Sequence, residues 1–200
     1  MNEITSVCVY CGSADGNDPR FAAAADGLGR AIAGASLTLV YGGGSLGLMG
    51  RVARAALEAG GHVVGVIPQF LHDREVLLRE VSELSVTADM HERKRTMFER
   101  ADAFVALPGG IGTLEEVVEM MTWSQLGRHD KPIVLANVAG FWDRLSQLIE
   151  QMTEVGFIRP GWDVSYDVAP TVDAVIPLLK ERHELLQARR TPEPTTLRRL

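Results

Sequence analysis

Apolar residues along this chain fall into short unbroken runs, separated by longer stretches in which they recur every three or four positions. The runs are residues 7–10, 37–41, 63–67, 103–107 and 132–136, with weaker ones at 84–87 and near 164–166. The intervening stretches predict helices over 21–33, 47–59, 90–100, 112–126, 141–155 and 172–188. An unbroken apolar run implies a strand buried on both faces, as in a parallel sheet covered by helices on each side. Strands alternating with helices predict an α/β fold: a single Rossmann-like, doubly wound domain with a mostly parallel central sheet. Residues 1–190 are expected to form this one domain, and 191–200, rich in Pro, Thr and Arg, a flexible tail. The stretch 68–83 breaks the rhythm with His72, Asp73, Arg74, Glu75, Arg79 and Glu80, and is expected to be a surface loop or a lid.

Two loops that follow strands are rich in glycine. The first is Tyr41-Gly42-Gly43-Gly44-Ser45-Leu46-Gly47-Leu48-Met49-Gly50, the second Pro108-Gly109-Gly110-Ile111-Gly112-Thr113. Glycines let the backbone turn tightly and bring its N–H groups close to an anion, and a helix starting there adds its positive end. Thr113 can donate to a phosphate or cap the helix. Neither loop is a Walker A motif, since no lysine follows the last glycine. Gly42, Gly44 and Gly47 match the bare dinucleotide spacing, but after the second strand and without a placed ribose-binding acid.

Glu115, Glu116 and Glu119 follow the second loop directly. Glu115 is read as a complement to the helix dipole. Glu116 and Glu119 share a helix face. A carboxylate beside a phosphate loop needs another reason to be there, such as stabilising a cation or orienting water at the neighbouring sugar carbon. The basic counterpart is Met90-His91-Glu92-Arg93-Lys94-Arg95. Arg93 can offer a bidentate fork, whereas Arg95 and Arg100 read as a solvated face. His91 reads as structural or exposed. Trp123, Trp142, Trp162, Met120 and Met121 read as core or interface. The helix carrying Val117, Val118, Met120, Met121 and Trp123 is apolar on more than one side, which suggests a dimer contact.

Composition narrows the picture a little. The chain has 200 residues, 46 % apolar and 23 % charged, with a formal net charge of −6. That balance argues against a nucleic-acid partner. No apolar run approaches membrane-spanning length. Few cysteines and no secretory leader point to the cytoplasm. Cys8 and Cys11 form a C-x-x-C pair, read as one strand and one loop cysteine, because a zinc site needs two further ligands. His62, His72, His129 and His183 show no metal spacing, so no metal is expected.

The string PGGIGTLEE resembles the PGGxGTxxE signature of the LONELY GUY family, the cytokinin riboside 5′-monophosphate phosphoribohydrolases. Met90-His91-Glu92-Arg93-Lys94, the YGGGSLGLMG loop, Cys8 to Ser13 and the run Thr122 to Pro132 are similar to that family too. The resemblance implies hydrolysis of the N-glycosidic bond of an N6-substituted AMP, without a cofactor, by a homodimer. It implies Arg93 and Glu116 as the catalytic pair, with Lys94 beside the arginine in substrate binding. It further implies that Gly110, Ile111, Gly112 and Thr113 cradle phosphate and ribose, with Gly109, Leu114, Glu115, Gly43, Gly44, Met90, Glu75 and Thr122 also at the substrate. Family members have carried the label lysine decarboxylase, for which the sequence presents no pyridoxal-binding pattern. Three other readings stand beside this one: a nucleosidase acting on plain AMP or other purine nucleoside monophosphates, a non-catalytic nucleotide-binding protein, and a Rossmann oxidoreductase.

Overall fold

Alternation within the apolar runs sorts the core into two layers. In a computed structural model, which describes residues 3–72 and 77–190, the first three runs become strands β1 (Ser6–Tyr10), β2 (Thr38–Tyr41) and β3 (Val63–Pro68). The others become β4 (Glu83–Thr87), β5 (Ala103–Ala106), β6 (Ile133–Ala136) and β7 (Asp167–Ala169). They form one seven-stranded sheet in the order β4-β3-β2-β1-β5-β6-β7, parallel at every described pairing. Val7, Val9, Leu39, Tyr41 and Val105 point to one face, under α1 (Pro19–Gly34), α2 (Gly47–Glu58) and α7 (Val175–Arg190). Cys8, Tyr10, Val40, Val66 and Phe104 point to the other. There they meet α4 (Met90–Glu99), α5 (Ile111–Gln125) and α6 (Asp143–Glu154). The five inner strands, β1, β2, β3, β5 and β6, thus lose water from both sides, which explains why their runs are unbroken.

Helix starts follow their local chemistry. Asp18 caps α1 by accepting from Arg20 N, with Pro19 at the first helical position. Asp89 caps α4 by accepting from Glu92 N at 2.8 Å, while Glu92 reaches back to Ala88 N at 2.6 Å. Gly29 of α1 lies against α2 so closely that a Cβ there would stand 2.9 Å from Ala56 N, so this helix pair packs at backbone distance.

Two expectations change. The last strand is Asp167–Ala169, not 164–166; Val164 and Tyr166 are instead partly buried against the α4–α5–α6 layer. The helix expected from 172 opens with a 3-10 turn over Val172–Ala174 before α7 begins. Part of the irregular 68–83 stretch is built into the molecule. Gln69–His72 forms the short helix α3, Leu77 bridges Gly44, and Leu78 is buried in the core. Residues 191–200 lie outside the described residues. Among those described, no helix is long and apolar enough to cross a membrane.

Candidate active site

Strand order reverses between β1 and β5, so the loops leaving these two strands depart toward opposite faces of the sheet and leave a crevice between them. The two loops touch. Gly12 N donates to the Pro108 carbonyl at 3.1 Å, and Met49 N donates to the Gly12 carbonyl at 3.2 Å, which joins the start of α2 to the same point. Gly47 adopts φ 57°, and its α-carbon packs on the Ser13–Ala14 backbone, where no side chain would fit. A cavity of about 230 Å³ opens here, lined by Ser13, Asp15, Phe21, Leu48, Gly109 and Phe141 among others. The residues of the β1 loop, Gly12 to Gly16, were not among the expected site residues. Their signal is a Cys-Gly-Ser run after the first strand, which gains meaning only once β1 is known to neighbour β5.

α5 begins in the second glycine loop. Gly110 is its N-cap and makes no side-chain cap hydrogen bond, so the first-turn N–H groups have no acceptor within the helix. These donors, with the positive end of the helix, suit an anion. Thr113 is buried, and its hydroxyl turns back toward Gly109. A Cβ on Gly109 would overlap Thr113 and stand 2.8 Å from Gly12 N, so the close approach of the two loops requires glycine there.

One turn further, Glu116 meets Arg93. Arg93 Nη1 donates to Glu116 Oε1 at 3.1 Å, and Arg93 Nε donates to the Val66 carbonyl at the end of β3 at 3.1 Å. Both side chains are nearly enclosed, at 10 % and 13 % exposure. Burial pushes the Glu116 carboxyl above its ordinary range; the Arg93 charge opposes this, and Glu115 adds to it. Behind Glu116 lie Cys8 and Tyr10 of β1, both driven up first by burial, with the Glu116 charge contributing. The carboxylate therefore sits in a low-dielectric pocket with one strong counter-charge. Such a group can stabilise a developing cation or hold a water.

Lys94, expected beside the arginine in substrate binding, meets two carboxylates of α5. Its Nζ donates to Glu115 Oε1 at 2.7 Å and to Glu119 Oε1 at 3.0 Å, bracketing Glu116 on α5. Burial works to lower the Lys94 pKa, and the two carboxylates outweigh it, so the net shift is upward. Lys94 also lowers Glu116 through space. Lys94→Met is therefore expected to move the acidic limb of any Glu116-dependent pH–rate profile to higher pH, with about 1 kcal/mol of lost stability. The sign follows because losing a nearby positive charge raises a carboxyl pKa. An unmoved limb together with a raised KM would assign Lys94 to the substrate instead.

The remaining expected residues divide. Gly43, with φ 80°, and Gly44 are buried, and their backbone is engaged by the neighbouring stretch: Leu78 N donates to the Gly43 carbonyl at 3.3 Å. Met90 stands at the start of α4, half-buried, and Leu114 is half-buried on α5. Ile111 and Gly112 are exposed at the mouth of the loop. Thr122 is exposed three turns into α5, with its hydroxyl donating to the Val118 carbonyl at 2.8 Å. Glu75 lies outside the described residues. His91 and Arg95 are exposed, and Arg100 pairs with Glu83. Cys8 and Cys11 are free, buried thiols whose pKa values burial pushes up, in β1 and just beyond it. Trp142 is buried, with Nε1 donating to the Ala106 carbonyl at 3.1 Å, whereas Trp162 is exposed.

A family model described as "possible lysine decarboxylase" matches residues 49–179. The cytokinin riboside 5′-monophosphate phosphoribohydrolase LOG1 of Arabidopsis thaliana is 44 % identical over 94 % of this chain and 89 % of its own. Its homologue LOG3 from the same plant is 46 % identical over 88 % and 81 %. A probable enzyme of the same name, LOGL9 of Oryza sativa subsp. japonica, is 48 % identical over 88 % and 77 %. Among solved structures, the Moco carrier protein of Chlamydomonas reinhardtii shares the fold with a TM-score of 0.67 at 23 % identity, covering 92 % of this chain and 99 % of that one. The structural-genomics target TM1055 has a TM-score of 0.67 at 26 % identity, over 88 % and 99 %.

Proposed function

The chain belongs to the family of cytokinin riboside 5′-monophosphate phosphoribohydrolases, and from that premise we propose that it hydrolyses the N-glycosidic bond of N6-substituted AMP, with Arg93 and Glu116 as its catalytic pair. The single observation that carries the site assignment is the nearly enclosed Arg93–Glu116 contact, one helical turn from an uncapped helix N-terminus. The 5′-phosphate takes the free N–H groups of Gly110 to Thr113, which holds the ribose over the first turns of α5. Breaking the bond from the base nitrogen to C1′ sends the electron pair to the base and builds positive charge on the ribose. Glu116 stabilises that charge and orients the incoming water. Water adds to C1′, and the base leaves with a proton, giving free base and ribose 5-phosphate.

Arg93 favours the ionised form of Glu116 against its burial and fixes its direction through the second anchor at Val66. The protein acts as a cytoplasmic homodimer in this reading, supported by the apolar side chains that α5 and its C-cap leave exposed, Ile111, Val118 and Leu126. The test is incubation with AMP, N6-isopentenyl-AMP, GMP and CMP, with chromatography for free base and a coupled assay for ribose 5-phosphate. Release from the N6-substituted nucleotide well above AMP is expected. Equal release from AMP makes the enzyme a general nucleosidase, and binding without release makes it a nucleotide-binding protein.

A further inference from the structure

Of the three consecutive glycines that follow β2, Gly43 has a backbone reason to be glycine and Gly42 has none. Gly43 needs its positive φ of 80°, and its α-carbon also lies against β3, 3.2 Å from where a Cβ on Gly65 would stand. Gly44 joins Leu77 in an isolated antiparallel bridge. Gly42 has no positive φ, so any L-residue could adopt its backbone. The space its side chain would need is instead filled by Arg93. A Cβ on Gly42 would overlap Arg93 Nη2 and approach Arg93 Cζ to 3.5 Å, with Met49 Sδ at 3.2 Å. The guanidinium therefore points its Nη2 at the backbone of Gly42, while its Nε is anchored by the Val66 carbonyl and its Nη1 by Glu116.

We infer that Gly42 is a positioning residue for the catalytic pair: its missing side chain is the seat of the Arg93 guanidinium, and the first glycine of the YGGGSLGLMG motif serves Arg93 rather than a phosphate. This deepens the proposed function and rests on it for the word catalytic. The chemistry behind it is geometric. A methyl group at Gly42 meets the far end of a flexible side chain and not backbone, so the fold tolerates it by moving the guanidinium. Arg93 cannot then keep both anchors. Displacing a paired charge by about 1 Å in a buried site is enough to cost on the order of 100-fold in turnover.

Glu116 is the reporter. The charged and titratable groups facing it are Arg93 and Lys94 from α4, Cys8 and Tyr10 from β1, Cys11 just beyond that strand, and Glu115 and Glu119 on its own helix. Of these, only Arg93 is moved by a methyl group at Gly42.

The experiment compares wild type, Gly42→Ala, Arg93→Lys and the double variant. Gly42→Ala is expected to keep the wild-type far-UV spectrum and melting cooperativity, to lose turnover on the order of 10- to 100-fold in kcat with little change in KM, and to shift the acidic limb of the pH–rate profile upward. Lysine has no Nη2, so in the Arg93→Lys background the same alanine should cost less than about twofold further. Unreduced turnover and an unmoved limb in Gly42→Ala overturn the inference. So does an equal loss in both backgrounds, or a loss confined to KM. A readout independent of the reaction keeps the two readings apart: titration of the Glu116 carboxyl by ¹³C NMR, assigned with Glu116→Gln. An upward shift in Gly42→Ala supports the seat even if wild type releases no base, and an unshifted titration overturns it even if wild type is fully active.

Discussion

A Glu116→Gln variant is expected to fold as the parent does and to lose turnover by about 100- to 10,000-fold, the range typical for removing a positioned carboxyl that acts in the transition state. The amide is nearly the same size and can still accept from Arg93 Nη1, so the 3.1 Å contact has a neutral replacement. What disappears is the negative charge beside the ribose carbon. KM for the nucleotide should stay within a few-fold, because the proposed phosphate site is the start of α5 and not this side chain. The protein should melt lower than the parent, because the nearly enclosed Arg93 loses its counter-charge, with relief of the Glu116 burial penalty offsetting part of that cost. Base release by chromatography, with circular dichroism on the same sample, decides it. Wild-type turnover in the folded variant would remove Glu116 from the mechanism.

The second large effect belongs to Arg93→Met. This change removes the counter-charge from a nearly enclosed carboxylate and one donor from the Val66 carbonyl. Breaking one side of such a pair typically costs about 3–5 kcal/mol at neutral pH. Turnover should fall at least as far as in Glu116→Gln. The stability loss should also depend on pH in a defined direction. With Arg93 gone, burial and Glu115 raise the Glu116 pKa without the largest opposing charge. A carboxyl raised in the folded state binds its proton more tightly there than in the unfolded chain. Its contribution is therefore fully present below the unfolded pKa and is lost as pH rises through the folded one. The gap in Tm between wild type and Arg93→Met should accordingly narrow when pH is lowered from 8 toward 5. A gap that stays constant would mean that Glu116 does not titrate in that environment.

Much of this was legible in the residues. Five unbroken apolar runs became five strands within a residue or two of where the pattern ends, because burial on both faces leaves no other composition for them. The pattern placed α4 and α5 correctly, since helical spacing after a strand and a Gly-Gly pair are strong local signals. The misplaced seventh strand has an equally local cause. Only three residues long and at the sheet edge, it is buried at Ala169 alone, so its alternation has too few positions to set a phase. The partnership of Arg93 with Glu116 could be carried over from family likeness, but the seat at Gly42 could not. It depends on α4 packing on β3 so that the Arg93 side chain reaches the loop after β2, and strand order is not written in any run of residues. Lys94 illustrates the same limit: residue type allowed it to face a phosphate, and only the spacing of Glu115 and Glu119 on a neighbouring helix shows the carboxylates it meets.

Arg93 joins parts of the molecule that lie on both sides of β1. Its Nε hangs from β3 in one half of the sheet, while its Nη1 holds a carboxylate on α5, which grows out of β5 in the other half. The site exists only while both halves are in register, so no half-folded form of this chain can retain catalysis. Activity then becomes a measure of cooperativity: its loss on heating or in denaturant should coincide with the global transition, and a stabilising change far from the crevice, in either half, protects the chemistry as effectively as one beside it.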